Sequence, residues 1–217
     1  MSLAFVTPAK SAVAESLARS PVVGVVRHHD RAEAARQANE LAAAGLELIE
    51  ITFTVPDAPR LVEELVLERG ARPGPPWIGM GTVTTRDRAE AAVAAGAEFL
   101  VTPNVEPEVA AVARRARLFL VMGALTPTEV VQARRLGADL VKVYPLPPVG
   151  GAAYLSVIRQ PLGDLGPLLA AGGFGIEEIP AYRAAGAAAF GIGAPLLGPD
   201  PETTRDRVAR ALALARA

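Results

Sequence analysis

The chain has 217 residues, 51% hydrophobic and 21% charged, with no cysteine and a formal net charge of -1. That length can bury a full core, while the missing cysteines exclude disulfides, thiolate metal sites and a cysteine nucleophile. The balanced charge excludes a nucleic-acid surface, and two adjacent histidines, His28 and His29, are too few for a histidine-rich metal site.

The opening stretch, MSLAFVTPAK, lacks the charged and then apolar regions of a secretory signal. Nor does any apolar run reach the ~20 residues of a membrane span, so the expected setting is cytoplasmic. A short helix is predicted over 9–19. Strand-sized apolar runs follow at 22–26, 48–52, 77–81, 99–102, 119–122, 140–143, 168–171 and 188–192. Helices are predicted between and after them at 31–44, 59–69, 87–95, 107–115, 127–136, 153–159, 177–185 and 203–216.

Four segments repeat one pattern: AAAGLELIEI, AAGAEFLVTP, RRLGADLVKVYP and RAAGAAAFGIG. Each ends a helical stretch, has a glycine suited to a left-handed helix cap (Gly45, Gly96, Gly137, Gly186), and then enters a strand. Alternation of this kind predicts an α/β fold, a single-domain (β/α)₈ TIM barrel over 1–217 with a short N-terminal helix. A doubly wound open sheet would announce itself with a glycine-rich dinucleotide loop after the first strand. RHHDRAEA stands there instead.

Aligned on their glycines, the four segments carry Glu50, Val101, Lys142 and Gly191 at the same place, five residues on. The acid and the lysine therefore hold equivalent positions in two strands, on the face shared by Leu48, Thr52, Leu140 and Tyr144. Both lie toward strand C-termini, where barrel enzymes keep their chemistry. Buried Lys–Glu pairs also occur as structural ion pairs. The other basic residues speak against that here. Lysine occurs only at Lys10 and Lys142, and the remaining 20 of 22 basic residues are arginine. A structural pair could use arginine. A nucleophile could not, because the guanidinium stays protonated.

The motifs LIEITFTVPDA, GMGTV, VTPN, VKVYP, AAGGF and FGIGAPL, in this order from Pro21 to about Leu197, resemble the 2-keto-3-deoxy-6-phosphogluconate (KDPG) aldolase / 4-hydroxy-2-oxoglutarate aldolase family. The resemblance implies a class I pyruvate aldolase that needs no metal and no cofactor, acts on a small-molecule 2-keto acid and assembles as a homotrimer. It implies that Lys142 forms the Schiff base and that Glu50 moves the protons. It gives Thr82 the pyruvyl carboxylate and makes Pro103 a wall beside the imine. Where many members carry a carboxylate-binding arginine this chain has Thr54, and Arg27 is the expected substitute. Gly172, Gly173 and Gly193 suit the phosphate corner after strands seven and eight, where Ala194 replaces a serine of some relatives.

The expected reaction is cleavage of KDPG to pyruvate and glyceraldehyde 3-phosphate. The alternatives are 4-hydroxy-2-oxoglutarate, giving pyruvate and glyoxylate, and the 6-phosphogalactonate epimer. A rival of another class is a non-catalytic phosphate-binding barrel, which has no need of an imine-forming lysine. Another barrel lyase or isomerase using Lys142 only as a cation would tolerate arginine there. The histidine pair reads as loop.

Overall fold

Four joins between a helix and the next strand are made alike. In the computed structural model, which describes residues 10–70, 74–163 and 166–217, Gly45, Gly96, Gly137 and Gly186 stand at φ of +90°, +80°, +90° and +94°. The residue after each glycine donates its N–H to the carbonyl five positions back: Leu46 to Leu41, Ala97 to Ala92, Ala138 to Ala133 and Ala187 to Tyr182. This motif satisfies the last helical carbonyls and sends the chain straight into a strand.

The elements in chain order are α1 (Lys10–Arg19), β1 (Val22–Val26), α2 (Arg31–Ala43), β2 (Leu48–Thr52), α3 (Ala58–Arg69), β3 (Trp77–Gly81), α4 (Arg86–Ala94) and β4 (Phe99–Val101). Then follow α5 (Pro107–Ala116), β5 (Phe119–Ala124), α6 (Pro127–Arg135), β6 (Leu140–Val143), α7 (Gly151–Arg159), β7 (Leu168–Ala171), α8 (Ile179–Ala184), β8 (Ala189–Ile192) and α9 (Pro201–Arg216). The strands run parallel and in sequence order, and β8 pairs back onto β1, closing the barrel. Five strands begin and end where expected, β8 starts one residue later than expected at Ala189, and the departures of β4 and β5 have local causes. β4 stops before Thr102, whose hydroxyl turns to donate to the Asn104 carbonyl at 2.6 Å. β5 continues two residues further because Gly123 and Ala124 still pair with Lys142 and Val143 of β6. The helix expected over 177–185 opens instead with a 3₁₀ turn, Ile176–Glu178, ahead of Pro180 near the start of α8. Residue 9 of the expected first helix lies outside the described residues.

Alternation along the strands divides the apolar residues into two cores. Leu48, Trp77, Phe99, Val101, Val121, Leu140 and Leu169 fill the barrel interior. Ile49, Ile51, Val141 and Val143 face the helices. Val13 and Leu17 of α1 belong to the interior cluster, so α1 plugs the N-terminal end of the barrel. The Trp77 indole donates to Ser16 Oγ at 2.8 Å, and Lys10 pairs with Asp139 at 2.8 Å. One lysine thus lies at the closed end, and only the other enters the barrel. Among the described residues no helix is long and apolar enough to cross a membrane.

An acid near that closed end carries a stability prediction. Glu98 is 2% exposed and is held by the Ile78 amide at 2.8 Å and by Arg69 through two contacts of 2.8 and 2.5 Å. Burial pushes its carboxyl above the usual carboxylate range, against the downward pull of Arg69 and of Ile78. The Arg69 guanidinium also lies 5.5 Å from the centre of the Trp77 ring. Arg69→Ala would leave Glu98 buried without its cation, a change that costs about 3–5 kcal/mol. Urea unfolding should show the loss as a lower midpoint with an unchanged slope; a midpoint within error of the parent would refute it.

Candidate active site

Glu50 and Lys142 leave β2 and β6 on the inward face, above Leu48 and Leu140, and meet across the barrel. They are 2% and 8% exposed. Lys142 Nζ lies 3.8 Å from Glu50 Oε2, within ion-pair reach but longer than a hydrogen bond. Glu50 Oε1 is buried with no hydrogen-bond partner among the described residues. A buried polar atom left this way is costly in a resting protein and useful where a substrate supplies the missing donor.

Glycines of β3 make room for inward side chains, the acid among them. Glu50 is in register with Gly79, and a methyl group on Gly79 would strike the Phe99 ring. A methyl group on Gly81 would overlap the Glu50 carboxylate itself. Lys142 is in register with Gly123, where the Pro103–Asn104 backbone packs so closely that no side chain fits. Pro103 therefore lies against the strand next to the lysine. The Tyr144 ring centre is 5.4 Å from Nζ, a wall of negative π density beside the amine.

Thr82 follows β3 at φ +59°, a left-handed conformation uncommon for a β-branched residue. Arg88 donates to its carbonyl at 3.2 Å and to Thr84 Oγ1 at 2.9 Å, holding the turn. Arg27 Nη2 donates to Thr82 Oγ1 at 3.4 Å, so the end of β1 reaches the residue after β3. The Thr54 hydroxyl is 2.7 Å from Thr52 Oγ1, which itself donates to the Val26 carbonyl at 3.1 Å. With the Thr52 proton committed, Thr54 must be the donor between them, and its own proton is not free for a substrate.

A cavity of about 420 Å³ opens over these groups. Its lining includes Lys142, Arg27, Gly172, Gly173, Gly193 and Ala194 from the expected set, together with Val25, His28, Gln37, Tyr144, Ala171, Gly191 and Leu197. Glu50 and Thr82 join it through their contacts with Lys142 and Arg27. Thr54 and Pro103 stand outside its lining. Gly172, at φ +133°, takes a conformation L residues avoid, and a methyl group there would strike the Leu146 amide nitrogen and Pro147. His28, read from sequence as loop, and Gln37, a helix residue without a motif, are polar lining that sequence reasoning missed. The only signal was that His28 directly follows Arg27, just past the end of β1.

The arrangement can perform amine–carbonyl chemistry: a sequestered lysine, a carboxylate within one water of it, and an anion-sized polar rim. A model of the family described as "Aldolase: KDPG and KHG aldolase" matches residues 13–210. The chain is 31% identical over 179 residues to a protein of Rhizobium meliloti described as "Probable 2-dehydro-3-deoxy-6-phosphogalactonate aldolase", covering 82% of each. It is 31% identical over 147 residues to the 2-dehydro-3-deoxy-phosphogluconate aldolase of Treponema pallidum, covering 68% of each. The solved 2-keto-3-deoxy-6-phosphogluconate aldolase of Zymomonas mobilis ZM4 superposes with a TM-score of 0.81 at 25% identity, covering 96% of this chain and 99% of that one.

Proposed function

The chain belongs to the KDPG and KHG aldolase family, and on that premise we propose that it cleaves a phosphorylated 2-keto-3-deoxy sugar acid, KDPG, reversibly to pyruvate and glyceraldehyde 3-phosphate. The observation that carries the residue assignments is the sequestered Lys142–Glu50 pair at 3.8 Å. Lys142, as the free amine, attacks the C2 ketone. Glu50 protonates the departing hydroxyl of the carbinolamine, and water leaves an iminium. Glu50 then takes the C4 hydroxyl proton, the C3–C4 bond breaks, and its electrons pass to the iminium nitrogen. The resulting enamine is protonated at C3, and hydrolysis returns pyruvate and Lys142. A lone, buried Oε1 fits a group that must accept and return protons.

Thr82 and Arg27 receive the pyruvyl carboxylate, Pro103 and Tyr144 flank the imine, and Thr54 serves by orienting Thr52. The turns at Gly172–Gly173 and Gly193–Ala194 take the distal anion. Ala194, having no hydroxyl, favours a second reading for the same machinery, the shorter dicarboxylate 4-hydroxy-2-oxoglutarate. The 6-phosphogalactonate epimer differs from KDPG only at C4 and fits the same scheme. Family membership supports a single aldolase domain over 1–217 acting as a cytoplasmic homotrimer.

Borohydride reduction in the presence of pyruvate, followed by digestion and mass spectrometry, tests the assignment. An adduct on the peptide containing Lys142, absent without pyruvate, is expected. No adduct, or one confined to Lys10 or the amino terminus, would sink it. The pyruvate dependence of trapping also tests Arg27. Arg27→Ala should raise the half-saturating concentration about ten-fold, the worth of one charge-assisted hydrogen bond. Arg27→Lys should recover only part of this, because an ammonium cannot present the planar fork.

A further inference from the structure

The two sides of the cavity mouth offer a substrate different chemistry. On the β7 and β8 side the turns at Gly172–Gly173 and Gly193–Ala194 carry no polar side chain, so any directed donor there is backbone. β1 pairs with β8, Val23 opposite Gly191 and Gly24 opposite Ile192. Gly193 lies so close to β1 that a methyl group on it would come 3.0 Å from the Val25 carbonyl. The residues just beyond β1 are therefore neighbours of the β8 turn, and the first after Arg27 is His28, which lines the same cavity.

The His28 ring is fixed rather than swinging in solvent. It is partly buried and stacks on His29 with ring centres 4.4 Å apart. The Asp30 amide donates to His28 Nδ1 at 3.0 Å. The Asp30 carbonyl lies 3.2 Å from the same nitrogen, but the amide contact is shorter and an N–H can only donate. Nδ1 therefore carries the lone pair, and the ring proton sits on Nε2. Asp30 in turn caps α2, accepting from the Glu33 amide at 2.9 Å, so the ring is tied to a rigid helix start.

We propose that His28 is a specificity-determining residue whose Nε2–H binds the distal phosphate of the substrate, supplying from β1 the side-chain donor that Ala194 does not supply from β8. This rests on the aldolase reading above and deepens it by assigning the phosphorylated substrate a dedicated side chain.

Two substitutions separate the donor from the loop. Asparagine places its oxygen where Nδ1 stands and so keeps the Asp30 contact while losing the Nε2 donor. Glutamine places its amide nitrogen near Nε2 and so keeps the donor while losing the loop contact. Steady-state cleavage of KDPG and of 4-hydroxy-2-oxoglutarate, with pyruvate C3 deuterium exchange alongside, reads the outcome. His28→Asn should raise KM for KDPG about ten-fold, with kcat changed less than two-fold and KM for 4-hydroxy-2-oxoglutarate little moved. His28→Gln should stay within about three-fold of the parent for KDPG. A larger loss in His28→Gln than in His28→Asn would make the residue a loop support and overturn the proposal. A rise confined to the dicarboxylate would do the same. An unchanged KDPG KM in His28→Asn, with exchange intact in the parent, removes His28 alone. Absence of exchange in the parent removes the aldolase reading and this assignment with it.

Discussion

Lys142→Arg should lower kcat for aldol cleavage at least about 10,000-fold and abolish borohydride trapping, with the fold retained. Loss of a covalent nucleophile costs on this order because no other group can replace the bond it forms. Arginine is the informative replacement. It keeps a cation opposite Glu50, so the 3.8 Å pair survives in charge if not in length. It also keeps a donor toward the substrate carbonyl. What it cannot do is lose a proton and attack, because the guanidinium stays charged. A lyase or isomerase using Lys142 only as an electrostatic clamp would retain a sizeable fraction of its rate, and that result would overturn the imine. Lys142→Met completes the comparison by keeping the volume and removing the charge. It leaves the Glu50 carboxylate buried without a cation, so it should be inactive and less stable, whereas the arginine variant should be inactive and close to the parent in urea. Two inactive variants of different stability would separate the chemistry of Lys142 from its role as counter-ion.

The pair itself was legible before any coordinates. The glycine that ends each helix sets a fixed count into the next strand, and five residues on from Gly45 and Gly137 the same inward position carries Glu50 and Lys142. The period of two then assigns the face, as Leu48 and Leu140 in the barrel interior bear out. The pattern broke where a helix closes without glycine. α5 ends on Arg117 at φ +57°, with Leu118 donating to Ala113 in the same motif, so that join was invisible to a search for glycine. Their pairing at the strand C-termini was legible too, but the 3.8 Å approach across the barrel was not, since β2 and β6 face each other only once β8 has paired with β1. His28 and Gln37 stayed hidden for the same reason. They become lining residues through the closure that brings the end of β1 and the following α2 beside the β8 turn, and nothing in RHHDRAEAARQ marks that neighbour. Thr54 illustrates the converse. Its place in the motif singled it out, and the geometry then tied its proton to Thr52.

Glu50→Gln should lower kcat for cleavage by about 100- to 10,000-fold, the usual worth of a positioned acid–base group. The amide is nearly isosteric and fits the space left by Gly81, so the loss would be chemical. Slow imine formation is expected, because Lys142 keeps its nucleophile, but the adduct should accumulate over a far longer exposure to pyruvate. Gly81→Ala reaches the same carboxylate by another route. Its new methyl group would overlap Glu50, and a strand in a closed barrel cannot retreat without disturbing both neighbours. The side chain has to rotate away from Lys142, taking the proton shuttle with it. Gly81→Ala should therefore approach the Glu50→Gln rate while costing stability that Glu50→Gln does not, about 1–3 kcal/mol of overpacking. The double variant supplies the decisive comparison. If Gly81→Ala acts by displacing the carboxylate, adding it to Glu50→Gln should lower the rate little further, since the group it moves no longer transfers protons. If the two losses multiply, Gly81 acts on the barrel by some other path, and the placement of Glu50 by Gly81 is wrong.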